Sequence, residues 1–306
     1  MCGIVGIYLK DQELIPQLGA MFAPMLACMS DRGPDSAGFA IYGDEAPEGW
    51  IKLTLRHPEP GYDWQALTAE LGRRFESETS LLVNATYGVV KIAADEAEAR
   101  RFLSRHHPAI RVMSVGRSIE ILKEVGTPQS IVERFKVSRM KGTHVIGHTR
   151  MATESAVTTE GSHPFSTGMD LCLVHNGSLS NHNRWRQRLK QYGIEFRTEN
   201  DTEVAAGYLM WRMQLGDSLE QALTQGLHDL DGFYTFAVGT AEGFAVLRDP
   251  IACKPAVLAE TDGYVAIGSE YRALAELPGI DRARLWEPEP ATVYTWGRKS
   301  VKPLAA

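Results

Sequence analysis

The chain opens Met1-Cys2-Gly3-Ile4-Val5-Gly6-Ile7, and Cys2 is the first residue whose position suggests chemistry. Once the initiator methionine is removed, Cys2 carries a thiol and a free α-amine on one Cα. A free thiol titrates near ~8.5 and an α-amine near ~7.7–8.0. Near neutral pH part of the amine is therefore unprotonated and can take the thiol's proton, directly or through one water. One residue can supply both nucleophile and base. Gly3 keeps the approach uncrowded, and Ile4, Val5 and Ile7 read as a buried strand that fixes the terminus. The competing reading is a small buried hydrophobe, the usual role of a free cysteine.

Four further stretches concentrate polar groups. Asp31-Arg32-Gly33-Pro34-Asp35-Ser36 is a turn by composition. Gly147-His148-Thr149-Arg150-Met151-Ala152-Thr153 ends a strand, and Gly161-Ser162-His163-Pro164-Phe165 follows as a turn. His175-Asn176-Gly177 ends the apolar run Leu171–Val174; read alone, its Asn-Gly pair marks a hairpin tip. Glu199-Asn200-Asp201-Thr202-Glu203 precedes a helix, and read alone it is an N-cap, with Asn200 or Asp201 as the capping side chain.

Elements of both kinds must position these groups. Residues 14–29 predict an amphipathic helix, with Pro24 kinking it. An apolar strand follows at Ala37–Tyr42. Between 44 and about 140 the pattern changes to a small α/β alternation: strands at 51–55, 81–92 and 110–115, and helices at 63–75, 95–106, 118–125 and 129–135. His106-His107 lies within it, but two adjacent histidines without a third ligand read as solvated. Helices are expected over 181–192, 204–213, 218–227 and 271–277. Short strands separated by turns fill the last third.

Bulk properties narrow the classes. The 306 residues are 44% hydrophobic and 23% charged, enough for one large domain or one domain with an insertion. A net charge of −6, with no Lys/Arg run longer than two, argues against a nucleic-acid partner. The four cysteines form no CxxC pair, so free thiols in a reducing cytoplasm are expected, with no metal site. The apolar start is too short for a signal peptide, and no stretch is long enough to span a bilayer.

With these segments in hand, the sequence resembles the class II glutamine amidotransferase domain, an N-terminal-nucleophile hydrolase. The resemblance rests on Cys2-Gly3-Ile4-Val5-Gly6, Arg32-Gly33-Pro34-Asp35-Ser36, Gly147 to Thr153, His175-Asn176-Gly177 and Asn200-Asp201-Thr202-Glu203, in the family's order. Weaker matches are Asp231-Gly232-Phe233-Tyr234, Arg248-Asp249-Pro250 and Ser269-Glu270. The resemblance implies an α+β fold: a four-layer αββα sandwich of antiparallel sheets over 1–306, with the 44–140 stretch as an inserted α/β subdomain. It implies glutamine as substrate and a Cys2 thioester. Asn176 and Gly177 would form the oxyanion hole, such donors being worth ~3–4 kcal/mol each. Arg150 would hold the α-carboxylate with Thr153 assisting, Asp201 the α-ammonium, and His163 would wall the pocket. Arg32 would brace the site. Met151, Glu154 and Asn200 depart from the residues common at those positions.

The chain offers no second active site to use the ammonia. Its size and insertion resemble amidotransferase subunits of split glutamate-synthase-type complexes, including N-methylglutamate synthase. That implies a hetero-oligomer, no cofactor in this chain, and FMN with iron–sulfur clusters on a partner subunit. The alternatives are a non-catalytic assembly or amino-acid-sensing subunit of the same fold, and an N-terminal-nucleophile amidohydrolase acting on another amide.

Overall fold

A computed structural model describes residues 2–152 and 157–297. In chain order the strands are β1 (Gly3–Leu9), β2 (Ser36–Tyr42), β3 (Ile51–Arg56), β4 (Thr79–Asn84), β5 (Tyr87–Ile92), β6 (Arg111–Gly116), β7 (Ile119–Val125), β8 (His144–Arg150), β9 (Phe165–Gly168), β10 (Leu171–Leu179), β11 (Gly232–Thr240), β12 (Gly243–Arg248), β13 (Val257–Glu260), β14 (Tyr264–Gly268), β15 (Arg284–Trp286) and β16 (Thr292–Gly297). The α-helices are α1 (Leu18–Ala27), α2 (Trp64–Phe75), α3 (Glu96–His106), α4 (Pro128–Arg134), α5 (His182–Gln191), α6 (Asp201–Gln214) and α7 (Leu219–Asp229).

Two antiparallel sheets stack face to face. One has the order β15-β13-β14-β1-β8-β2-β7, the other β16-β12-β11-β10-β9. Strand alternation assigns each face. In β1, Val5, Ile7 and Leu9 point outward to α1, while Ile4 points inward to the second sheet. In β10, Leu171 and Leu173 point outward to α5, α6 and α7, while Cys172 and Val174 point inward. Both faces of each sheet are covered, which is why these strands read as continuous apolar runs rather than alternating ones. The layers are helix, sheet, sheet, helix, the expected α+β sandwich.

Five of the described α-helices begin where short polar side chains accept the first free N–H groups. Asp63 caps α2, Asp95 caps α3 and Thr127 caps α4. Asn200 caps α6, and Ser218 caps α7 with Gln221 closing a capping box. α1 runs on through Pro24. A proline there costs one intrahelical N–H, and the apolar face remains packed in the core.

A third sheet, β4-β5-β3-β6, carries α2 and α3 on one face. This extra layer spans Ile51 to Gly116, narrower than the 44–140 expected. The stretch 118–125, expected as a helix, is β7, the edge strand of the seven-stranded sheet, paired to β2 from Ser36↔Val125 to Tyr42↔Ile119. α4 packs with α1 on that sheet's outer face. The polar side of the extra sheet meets β7 through ion pairs, Lys52 to Glu120 at 2.9 Å and Arg56 to Glu124 at 3.3 Å. Asp170, in the β9–β10 turn, clasps the β6–β7 turn: its carboxylate accepts from the backbone N–H of Arg117, Ser118 and Ile119 at 2.7, 2.8 and 3.0 Å. Residues 271–277, expected as a helix, form only a short 3-10 turn at Tyr271–Ala273.

Candidate active site

Strand parity brings the expected site residues to one end of the sandwich. Gly3 pairs with Thr149 and Ile4 with His148, so Cys2 lies one step further along, beside Arg150. Cys2 shares the inward side of β1 with Ile4, and Arg150 shares the inward side of β8 with Ile146 and His148. The Cys2 Sγ lies 3.9 Å from the Met151 carbonyl oxygen. On the facing sheet, Asn176 shares the inward side of β10 with Cys172 and Val174. Nucleophile, arginine and asparagine therefore project into one space between the two sheets.

The Arg32–Ser36 turn fixes this end. The buried Arg32 donates from Nε to the Cys2 carbonyl at 2.7 Å and from Nη1 to Glu270 at 2.5 Å. The Asp35 N–H donates to the Arg150 carbonyl at 3.1 Å, and its Oδ2 accepts the Ala152 N–H at 2.7 Å. Gly33 lies flat against β8: a Cβ there would fall 2.7 Å from the Arg150 nitrogen. Ser269 holds the other side, its Oγ accepting the Ile4 N–H at 2.8 Å.

His175-Asn176-Gly177 is not a hairpin tip. It sits inside β10, paired in register with Phe236, Thr235 and Tyr234. Gly177 has φ +149°, and a Cβ there would fall 2.0 Å from the Phe233 carbonyl oxygen, so the position needs glycine. Asn176 is 3% exposed. Its Nδ2 is buried and donates to no atom among the described residues. Such a group is costly to bury unless something else uses it.

Asp201 opens α6. Its Oδ2 accepts the Leu179 N–H at 2.9 Å, and its Oδ1 lies 3.6 Å from the His175 Nδ1. Burial pushes the carboxyl up, but the His175 ring and the Leu179 N–H more than offset it, bringing it down to about 2. Asp201 is therefore an anion at neutral pH.

Behind these residues lies a buried histidine cluster. The His148 Nε2 donates to the His175 carbonyl at 3.0 Å, tying β8 to β10 across the sandwich. The Thr202 hydroxyl joins His163 Nε2 at 2.6 Å to His175 Nδ1 at 3.0 Å. Burial, then the neighbouring His175 ring, brings His148 down to about 3. Burial and the His148 ring also hold His163 far below its usual range. Both rings are neutral. His163, expected as a pocket wall, is buried against His148 and Phe165 and reaches Thr202.

The structure thus sets Cys2, Arg150 and Asn176 on the inward sides of facing strands, with Gly177 next in β10, Asp201 at the head of α6 and Arg32 bonded to the Cys2 carbonyl. Thr153 and Glu154 lie outside the described residues. Sequence reading missed the structural parts of His148, His175, Thr202 and Asp35. Each stands within a quoted motif, yet only the fold reveals what it touches. Among the described residues no group of three metal-ligating side chains occurs, and no helix is long and apolar enough to cross a membrane. Cys2, Cys28, Cys172 and Cys253 are all free thiols.

Comparisons with known proteins bear on the family and the fold. A family model described as a glutamine amidotransferase domain matches residues 148–276. The chain is 59% identical to the glutamine amidotransferase-like protein GlxB of Rhizobium meliloti, over 98% of this chain and 100% of that protein. It is 34% identical, over 96% of this chain and 99% of the relative, to a Methanothermobacter thermautotrophicus protein provisionally named a glutamine amidotransferase. Among solved structures, the glutamine phosphoribosylpyrophosphate amidotransferase of B. subtilis superposes with a TM-score of 0.62 at 19% identity, over 97% of this chain. The chain spans 48% of that enzyme, so this likeness speaks to the fold. On the near full-length match to its Rhizobium relative and the domain match at 148–276, the chain belongs to the class II glutamine amidotransferase family.

Proposed function

We propose that this chain hydrolyses glutamine to glutamate and ammonia through a Cys2 thioester, and delivers the ammonia to a synthase subunit. The observation that carries the reading is the convergence of Cys2, Arg150 and Asn176 on the inward faces of two sheets, with Asp201 at the head of α6. The Arg150 guanidinium offers fork geometry to the α-carboxylate, and the anionic Asp201 suits the α-ammonium. Together they select an amino-acid head group, which an amidohydrolase for other amides has no need of. Thr153 completes the head-group contacts in this reading.

The chemistry follows from the placement. With Met1 removed, the Cys2 α-amine takes the thiol proton. The thiolate attacks the side-chain amide carbon, and the oxyanion is met by the Asn176 Nδ2–H and the Gly177 N–H. The leaving nitrogen takes the proton from the α-amine and departs as ammonia. Water then attacks the thioester, releases glutamate and restores the thiol. Arg32 keeps the Cys2 backbone in place by its bond to the Cys2 carbonyl.

The acceptor subunit in this reading is of glutamate-synthase or N-methylglutamate-synthase type and binds FMN, with iron–sulfur clusters alongside. The support is the sequence resemblance, and the test is mass spectrometry of the native complex. Glutaminase activity is tested with Cys2→Ala and by labelling with 6-diazo-5-oxo-norleucine. Labelling of Cys2 in the wild type and loss of ammonia release in the variant are expected; unchanged ammonia release would refute the mechanism. N-terminal sequencing that finds Met1 retained would favour a non-catalytic subunit.

A further inference from the structure

Between the arginine grip and the aspartate grip runs a strap, Thr158–Phe165. Its Gly161 Cα carries a direction that brings a Cβ within 3.8 Å of Arg150 Nη1. Two residues on, His163 reaches Thr202, the neighbour of Asp201, at 2.6 Å. The Asn200 side-chain amide also approaches the Gly161 carbonyl at 3.5 Å. The strap thus passes beside Arg150 and bonds to Asn200 and Thr202, the two neighbours of Asp201.

What holds the strap is β7. Lys123 is 4% exposed and shares the inward face of β7 with Ile119 and Ile121. Its Nζ donates to three strap carbonyls, Ser162 at 2.6 Å, Pro164 at 3.1 Å and Glu160 at 3.2 Å. Three carbonyl acceptors match the three N–H donors of the protonated amine, whose pKa burial lowers to about 7. The Nζ also sits 4.5 Å from the centre of the Phe165 ring. From the outward face of β7, Glu124 accepts the Thr159 hydroxyl. β2 leaves room for this arrangement: a Cβ on Gly38 would fall 2.3 Å from the His163 carbonyl oxygen.

The extra sheet joins this clamp. Arg56 on β3 pairs with Glu124 at 3.3 Å and with Glu160 of the strap at 3.6 Å. Arg56 and Glu124 therefore join the extra sheet to one part of the strap, Lys123 holds the rest of it, and His163 bonds the strap to Thr202 beside Asp201.

Resting on the glutaminase reading above, we propose that Lys123 is a positioning residue for the glutamine head group. It clamps the strap between Arg150 and Asp201, and Arg56 links that clamp to the inserted sheet. Lys123 touches no substrate; its effect is on how well the grips are held. The residue lies in none of the motifs that carry the resemblance.

The test compares Lys123→Met with Lys52→Met in the full chain. Lys52 is an equally buried lysine at the same junction, bonded to the Gly43 and Ser118 carbonyls and to Glu120, and it has no link to the strap. The readouts are glutamine KM and kcat, and the concentration dependence of 6-diazo-5-oxo-norleucine inactivation. Lys123→Met is expected to raise KM and the inactivation half-saturation roughly tenfold while kcat stays within about threefold. Lys52→Met leaves KM unchanged. Arg56→Gln, milder because Arg56 is only one link removed, raises KM about threefold and guards against failure of Lys123→Met to fold. A wild-type KM in Lys123→Met and Arg56→Gln, or an equal rise in Lys52→Met, overturns the positioning role alone. A wild type that neither hydrolyses glutamine nor reacts with the analogue overturns the parent reading together with it.

Discussion

Replacing Asn176 with alanine separates catalysis from stability unusually well. In most buried positions, deleting a polar side chain removes a hydrogen bond from the fold. Here the Nδ2 is buried and bonds to no described atom, so no intramolecular bond of that group is lost. A buried unpaired donor costs about 1–3 kcal/mol, and its removal offsets the packing lost with the amide. Stability is therefore expected to change by less than about 1 kcal/mol, within a few degrees of Tm. Catalysis should respond differently. A preorganised donor to an oxyanion is worth about 3–4 kcal/mol, so kcat should fall on the order of 10²–10³-fold with little change in KM. Asn176→Asp keeps the shape, removes the donor and adds like charge, so it should fall at least as far. Ammonia release gives kcat and KM, and calorimetry gives Tm. A folded Asn176→Ala chain with kcat within about threefold of wild type would refute the oxyanion assignment. A collapse in stability would refute the claim that the fold makes no use of the Asn176 Nδ2.

Gly177→Ala should instead lose the fold, because φ +149° and the Phe233 carbonyl both exclude a Cβ; the expected loss is at least about 3 kcal/mol by denaturant melt, and a wild-type midpoint would contradict the strand geometry. Asp201 has a folded-state pKa lowered to about 2, so its contribution, about 2 kcal/mol, is fully present above roughly pH 4 and lost as pH falls through about 2. The stability gap between wild type and Asp201→Asn should therefore be flat above pH 5 and narrow below pH 4. Asp35→Ala removes the acceptor of the Ala152 N–H and should lower kcat/KM about tenfold, measured by ammonia release, through a loosened Arg150 strand end.

The sandwich was legible because the motifs fall in a set order and the strands between them are plainly apolar. The misreadings have physical causes. Ile119-Glu120-Ile121-Leu122-Lys123-Glu124 suits an amphipathic helix if its charges face water. In the structure they are buried or half-buried: Glu120 and Glu124 meet the extra sheet, and Lys123 meets the strap. A single sequence carries no sign of those distant partners. His175-Asn176-Gly177 reads as a turn because Asn-Gly favours one locally. The pairing with β11 overrides that preference and holds Gly177 at a φ only glycine tolerates. His163 lies beside the Arg150 motif in sequence, and only the packing of α6 against β9 and β10 turns its ring toward Thr202. Arg32 is expected as a brace, and the bond it makes in the structure is to the Cys2 carbonyl.

Asp170 sits at one end of β10, locked to three backbone N–H groups of the β6–β7 turn, and the His175 carbonyl at the middle of the strand is tied to His148. Anchored twice along its length, the strand cannot slide. A slide of one residue would exchange Asn176 for His175 on the inner surface, turning the amide toward the helices and an imidazole toward Cys2. The distance between thiol and amide is thus set by one fastening at the far end of the strand and one in the peptide bond before Asn176. A change at Asp170, far from the chemistry, would register first as mistimed catalysis and only later as unfolding.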